Sequence, residues 1–112
     1  MTETNISFED FQKVDLRVGT VIEVSDFPKA RVPAYQLKID FGDLGVKKSS
    51  AQITSLYSKE TLLNKQVVAV INFEAKQIAN FKSECLVLGI QNGKDVVLLR
   101  SGDDIANGTQ VL

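Results

Sequence analysis

Hydrophobic and polar positions alternate with a period of two along most of this chain, and clusters of turn-forming residues interrupt the alternation. LRVGTVIEV at 16–24 is the first such run, and YQLKIDF at 35–41 is the second, a half-buried strand by its regular alternation. VKKSSAQI at 46–53 alternates weakly and is mostly polar. QVVAVINF at 66–73 is rich in β-branched residues and reads as a strand buried on both faces. ECLVLGI at 84–90 and DVVLLR at 95–100 follow, joined by QNGK, whose Asn-Gly pair signals a tight hairpin. FPKARVPAY, after the first strand, holds Pro28 and Pro33 and stays out of regular structure, and GDLG turns the chain from the second strand into the third.

Two short helices interrupt this pattern. SFED at 7–10 has the form of a capping box, with Ser7 as the cap and Asp10 three residues on. It predicts a helix over 8–13 with Phe8 and Phe11 on one side. SKETLLN at 58–64 predicts a second helix capped by Ser58. Five or six strands, with that helix between the third and fourth, define the class as all-β. The predicted architecture is a five-stranded Greek-key barrel of the OB-fold type, with short helices at the N-terminus and between strands 3 and 4.

Composition narrows the class of protein. A chain of 112 residues fits one domain, 1–112, and buries enough surface for a core without staples. Cys85 is the only cysteine, so no intrachain disulfide can form and a reducing compartment is expected. The start MTETNISFED lacks a basic flank and an apolar centre, and no apolar run approaches the roughly 18 residues of a membrane helix. The expectation is a cytoplasmic protein without membrane insertion. Net charge is −1, which argues mildly against a dedicated nucleic-acid module and leaves room for a local basic face.

The chemistry of an enzyme is hard to find. Histidine is absent, which removes the commonest general base and the commonest metal ligand. One cysteine cannot build a zinc site of the usual spacing, and Cys85 reads as a small buried core residue. Neither a Walker loop nor Gly-x-Gly-x-x-Gly nor Gly-x-Ser-x-Gly occurs. A non-enzymatic binding protein with no cofactor and no metal is therefore expected.

FQKVDLRVGTV at 11–21, VVAVINF at 67–73 and KSECLVLG at 82–89, in this order and spacing, resemble the tRNA-binding domain found free-standing and appended to aminoacyl-tRNA synthetases. With KKSSAQIT at 47–54 and the closing NGTQVL, the likeness extends from Phe8 to the C-terminus and is closer to the export-related bacterial chaperones built on that domain than to its tRNA-binding members. The resemblance implies a homodimer that binds unfolded or precursor polypeptides in a bacterial cytoplasm and assists their export, with the export machinery as a further contact. The alternative it carries is tRNA binding on the same face. The tRNA-binding members have Gly-Met where this chain has Cys85-Leu86.

Candidate site residues follow from strands, loops and resemblance together. Asp15 and Arg17 share a face of the first strand, and they either pin the helix-to-strand junction, touch a ligand, or touch a partner protomer. On the third strand Lys47 pairs in orientation with Ser49 and Lys48 with Ser50, so only one pair faces the outer surface, followed by Gln52. This is either an exposed polar strand whose lysines protect an edge, or a groove whose small hydroxyl residues admit a peptide backbone while a lysine meets its carbonyls. The connection at 72–83 mixes Phe73, Ile78 and Phe81 with Lys76, Gln77, Lys82 and Ser83, a composition suited either to adaptable recognition or to packing its apolar groups on the barrel end. Phe27, Arg31 and Tyr35 surround the prolines as a stacking platform or an apolar pocket. For tRNA the phosphate partners are Arg31, Lys47 or Lys48, Lys76 and Lys82. Ile6, Phe8, Phe11, Val111 and Leu112 give both termini apolar character, which either packs within the chain against the barrel's open end or, as the resemblance implies, forms the dimer interface.

Overall fold

The longest strand, β1 (Leu16–Asp26), pairs with different neighbours along its two halves, which it can do only by bending. The computed structural model describes residues 4–112; Met1 to Glu3, included in the single-domain expectation, lie outside the described residues. The first half of β1 pairs antiparallel with β4 (Gln66–Val70) and the second half with β2 (Tyr35–Asp40). Where β2 is missing, the end of the chain takes its place. Val18 donates its amide to the Thr109 carbonyl at 3.0 Å, and the amides of Gly108 and Val111 donate to the carbonyls of Val18 (2.7 Å) and Leu16 (2.8 Å).

The bend has two causes. A bulge shifts the register between Val21 and Glu23. Gly19 lies on the inner face, where an added Cβ would come within 2.7 Å of Ile39 Cγ2 and the Phe41 ring. With β3 (Val46–Ala51) and β7 (Leu86–Val87), the sheet order is β3-β2-β1-β4-β7. The two edges are drawn together at one point. Lys48 accepts the amides of Glu84 (2.7 Å) and Cys85 (3.3 Å) on its carbonyl, and its own amide donates to Glu84 Oε1 at 2.9 Å. The result is a nearly closed five-stranded antiparallel barrel of the OB type, as expected.

Inward-facing positions follow the alternation: Val21 from β1, Leu37 and Ile39 from β2, and Val67 and Ala69 from β4, with Phe41, Ile53, Leu62, Cys85 and Leu98 filling the centre. All of Val67 to Val70 are buried, in keeping with a strand covered on both faces. Helix α1 (Phe8–Gln12) is capped by Ser7, whose Oγ accepts the Asp10 amide at 3.0 Å. Its capping box is half made, because Asp10 turns its carboxylate to Lys13 instead of the cap amide. Helix α2 (Lys59–Leu62) carries the complete box, with Ser58 and Thr61 bonding reciprocally and Leu62 plugging the barrel.

The connection at 72–83 differs from expectation. It folds as a hairpin, β5 (Lys76–Ile78) against β6 (Phe81–Ser83), turning at Ala79-Asn80 with Ala79 at φ 52°. Three-residue strands and an alanine in the left-handed region leave no sequence signal. The strand expected at 84–90 is divided: after β7 the chain kinks at Leu88, whose amide bonds Val68 while its carbonyl takes the Leu99 amide. It then enters the hairpin β8 (Gly89–Asn92) with β9 (Asp95–Leu98), as Asn-Gly predicted. Among the described residues, no helix is long and apolar enough to cross a membrane.

Candidate functional site

The third strand determines the site, because its two faces have opposite surroundings. Phe41 donates its amide to Gly45, so the odd positions 45 to 51 hydrogen-bond to β2 while the even positions 46 to 50 turn their backbone outward. In side chains, Ser49 pairs with core Leu37 and Lys47 with core Ile39. Ser49 is 0% exposed, with Oγ on the Ser50 carbonyl at 3.1 Å. Ser49 therefore belongs to the barrel interior, and Lys47 lies on the same inner side, close enough to Cys85 to favour its thiolate. Lys48 and Ser50 are the outward pair.

Across from them stands the β5–β6 hairpin. Ile78 pairs with Phe81 and Lys76 with Ser83 on the side towards the barrel, and Gln77 pairs with Lys82 on the exposed side. Phe81 is held between the Phe27 ring (centroids 5.4 Å apart, tilted by 59°) and the Lys48 ammonium, 5.2 Å above it. Ser83 Oγ accepts the Ser50 amide at 3.1 Å. These contacts fix the hairpin over β3 and leave hollows on both flanks.

One hollow, about 600 Å³, runs from Phe73 and Lys76 past Ile78, Ser50 and Cys85 to Leu86. The other, about 260 Å³, lies between the proline loop and the hairpin, with Arg31, Val32, Gln52 and Ile78 in its walls. Both touch Ser50 and Ile78, so the hollows adjoin across the hairpin as the two halves of a divided groove on the outer face. A separate hollow of about 450 Å³ lies between Arg31, Pro33 and Tyr35. Tyr35 is turned partly inward, donating its hydroxyl to the Tyr57 carbonyl at 2.9 Å.

Of the residues expected at the ligand surface, Arg31, Ser50, Gln52, Phe73, Lys76, Ile78 and Ser83 meet around this groove, and Lys48 and Phe81 brace it. Five are placed elsewhere, Tyr35 among them at the separate hollow. Lys47 and Ser49 face inward. Gln77 and Lys82 face solvent, because a hairpin turns alternate residues to opposite sides and Gln77 bonds its own turn at Ala79. Phe27, at 5% exposure, cannot present a free ring face and serves as the floor under Phe81.

Sequence reasoning missed Glu74, Glu84 and Leu86, which line the larger hollow. Glu84 was hidden because its role comes from closing the barrel on Lys48. Leu86 is an exposed apolar residue inside an apolar run, and strict alternation across 84–90 would have set it on the outer face. Burial pushes the Cys85 thiol up to about 12, although Lys47 opposes the shift.

Asp15 and Arg17 lie away from the groove. Arg17 Nε donates to Asp15 Oδ1 at 2.6 Å and Nη1 donates to the Gly108 carbonyl at 3.0 Å, so the pair fastens the start of β1 to the chain's end. Asn72 completes the junction by accepting the Asp15 amide and donating to the Lys13 carbonyl. Phe8 (70% exposed), Ile6, Phe11 and Leu112 leave apolar surface uncovered, and α1 buries none of its residues.

A family model described as a putative tRNA binding domain matches residues 16–110. The chain belongs to that family. Among solved structures it is similar to the chaperone CsaA of Bacillus anthracis str. Ames, with 52% identity, a TM-score of 0.92, and coverage of 97% of this chain and 100% of that one. CsaA of Picrophilus torridus is similar at 52% identity and a TM-score of 0.91, covering 96% of this chain and 100% of that one. A curated relative, the methionine–tRNA ligase of Thermococcus onnurineus, is 36% identical over 106 residues. That match takes in 95% of this chain and 14% of the ligase, so the chain spans about a seventh of the curated relatives' length. Neither the family model nor the barrel supplies a catalytic fold.

Proposed function

We propose that this protein is a non-enzymatic holder of unfolded or precursor polypeptides, acting as a homodimeric single-domain module that keeps them competent for export. The observation that carries this reading is the pair of adjoining hollows on either side of Ser50 and Ile78, one walled by Phe73 and Leu86 and the other by Val32, bordered by both signs of charge. An apolar channel with a mixed rim suits side chains of varied sequence better than a run of phosphates. The likeness to two CsaA chaperones over nearly the whole chain supports the same conclusion. Exposed apolar Ile6, Phe8, Phe11, Val111 and Leu112 at the two termini support a two-fold interface there. Affinity is expected to be modest, since an extended chain loses entropy when it is ordered.

The family supports a second reading, tRNA binding on the same face, with Arg31, Lys48 and Lys76 meeting phosphates. Fluorescence anisotropy of a labelled unfolded precursor segment, with bulk tRNA as competitor, separates the two. The expected result is peptide binding that survives a rise from about 50 to 200 mM salt and is barely displaced by tRNA. Failure of the peptide to bind, with tRNA binding on a steep salt slope, overturns it.

A further inference from the structure

The two hollows that flank Ser50 and Ile78 differ in charge. The larger carries Glu74, Glu84 and Lys76 in its walls. The smaller carries Lys29 and Arg31 and no acid. Among the described residues the ion pairs engage Lys13, Arg17, Lys38 and Lys59, so neither Lys29 nor Arg31 is paired with a carboxylate. Asp26 shares the separate hollow of about 450 Å³ with Arg31, but it bonds Lys59 Nζ at 3.0 Å. Two cations around one small hollow repel each other, and an anion between them relieves the repulsion.

The proline loop holds these cations in place. Phe27 and Ala34 are buried at its two ends, and Pro28 and Pro33 fix their own φ angles. The Ala30 amide closes a turn onto the Phe27 carbonyl at 3.2 Å, with proline at the second turn position. Lys29 and Arg31 lie between these anchors and are exposed.

The remaining walls narrow the chemistry of the ligand. Ser50 and Gln52 can donate hydrogen bonds alongside the two cations, and Val32 and Ile78 add apolar surface. A hollow of about 260 Å³ equals roughly nine waters at about 30 Å³ each, room for one or two side chains. Among the described residues of its walls the one aromatic is Phe27, which is buried, so a nucleotide base finds no ring to stack on. Cations without a stacking platform fit a carboxylate beside an apolar side chain better than a stretch of RNA.

We infer that the smaller hollow selects client segments in which an acidic residue adjoins an apolar one, the carboxylate meeting Arg31 and Lys29 and the apolar side chain lying against Val32 and Ile78. The inference rests on the polypeptide-binding reading above and specifies its substrate, with Arg31 and Lys29 as specificity-determining residues. Of the two hollows, only this one favours the client's carboxylate, since the other already holds Glu74 and Glu84.

Fluorescence anisotropy with short labelled segments tests this. Each segment is blocked at both ends, so that no terminal carboxylate competes, and is uncharged except at one position beside a leucine, which is Asp, Asn or Lys. At low salt the expected order of affinity is Asp, then Asn, then Lys, with Asp about fivefold tighter than Asn. Arg31→Glu is expected to reverse the order of Asp and Lys while the Asn segment stays within about twofold of wild type. Lys94→Glu makes the same change of charge at the exposed β8–β9 turn and is expected to keep the wild-type order. Equal binding of the Asp and Asn segments, an order unchanged by Arg31→Glu, or an order reversed equally by Lys94→Glu overturns the inference and leaves the polypeptide-binding reading standing. So does failure of these segments to bind where the longer precursor segment binds; if neither binds, both fall. Loss of tRNA binding in Arg31→Glu with the order of the segments unchanged assigns the cations to phosphates and also overturns the inference.

Discussion

Replacing Arg17 with methionine keeps the length and apolar stem of the side chain and deletes the guanidinium that joins β1 to the chain's end. Two good hydrogen bonds are lost, to Asp15 at 2.6 Å and to the Gly108 carbonyl at 3.0 Å; the third, at 3.5 Å, is too long to count for much. A hydrogen bond to a charged group contributes about 1.5–3 kcal/mol when buried, and an exposed ion pair about 0–1. The Arg17 and Asp15 side chains are 23% and 29% exposed, between those limits, which sets the expected loss at about 2 kcal/mol. With an unfolding entropy of about 2.1 cal/mol/K per residue, this corresponds to a fall in Tm of about 8 °C. Thermal unfolding followed by circular dichroism measures it, and anisotropy with the unfolded segment is expected to stay within about twofold of wild type at a temperature where both are folded. A Tm within about 1 °C of wild type combined with a tenfold loss of binding would refute the reasoning and make Arg17 a ligand contact.

Other perturbations probe the bend, the core thiol and the groove. Gly19→Ala pushes a methyl group to 2.7 Å from Ile39 and Phe41, both fully buried, and is expected to cost about 1–3 kcal/mol in urea unfolding. Cys85 resists ionisation in the folded state up to about 12, above its ordinary 9.0. Its contribution is therefore complete below pH 9 and is lost as pH rises towards 12. Cys85→Ala is expected to flatten that alkaline loss in urea melts compared across pH 8–11, and parallel profiles for the two proteins would count against it. Ile78→Thr keeps the β-branch of a half-buried hairpin residue and removes apolar surface from both hollows; about 1.5 kcal/mol less burial predicts roughly tenfold weaker binding of the unfolded segment. Unchanged affinity would move the site away from the hairpin.

The alternation of apolar and polar residues determined the barrel strands themselves, since each inner face needs its own period-two row: Leu37 and Ile39 on β2, Val67 and Ala69 on β4. Caps and turns were equally local, with Ser58 starting α2 and Asn-Gly turning β8 into β9. Asp15 and Arg17 were recognisable as neighbours on one strand, but their third partner, the Gly108 carbonyl, lies 91 residues away. Which face of β3 meets solvent was undecided by KKSS, because both faces carry one lysine and one serine; only the pairing of Ser49 with Leu37 and of Lys47 with Ile39 turned that pair inward. The hairpin at 76–83 was illegible for a related reason. Its strands are too short to show a period, and Phe81 takes its place from Phe27 and Lys48, contributed by other parts of the barrel. Strand identity is a property of consecutive side chains and can be read from them. The divided groove exists only where the proline loop and the hairpin come near each other across β3, and no stretch of sequence contains that distance.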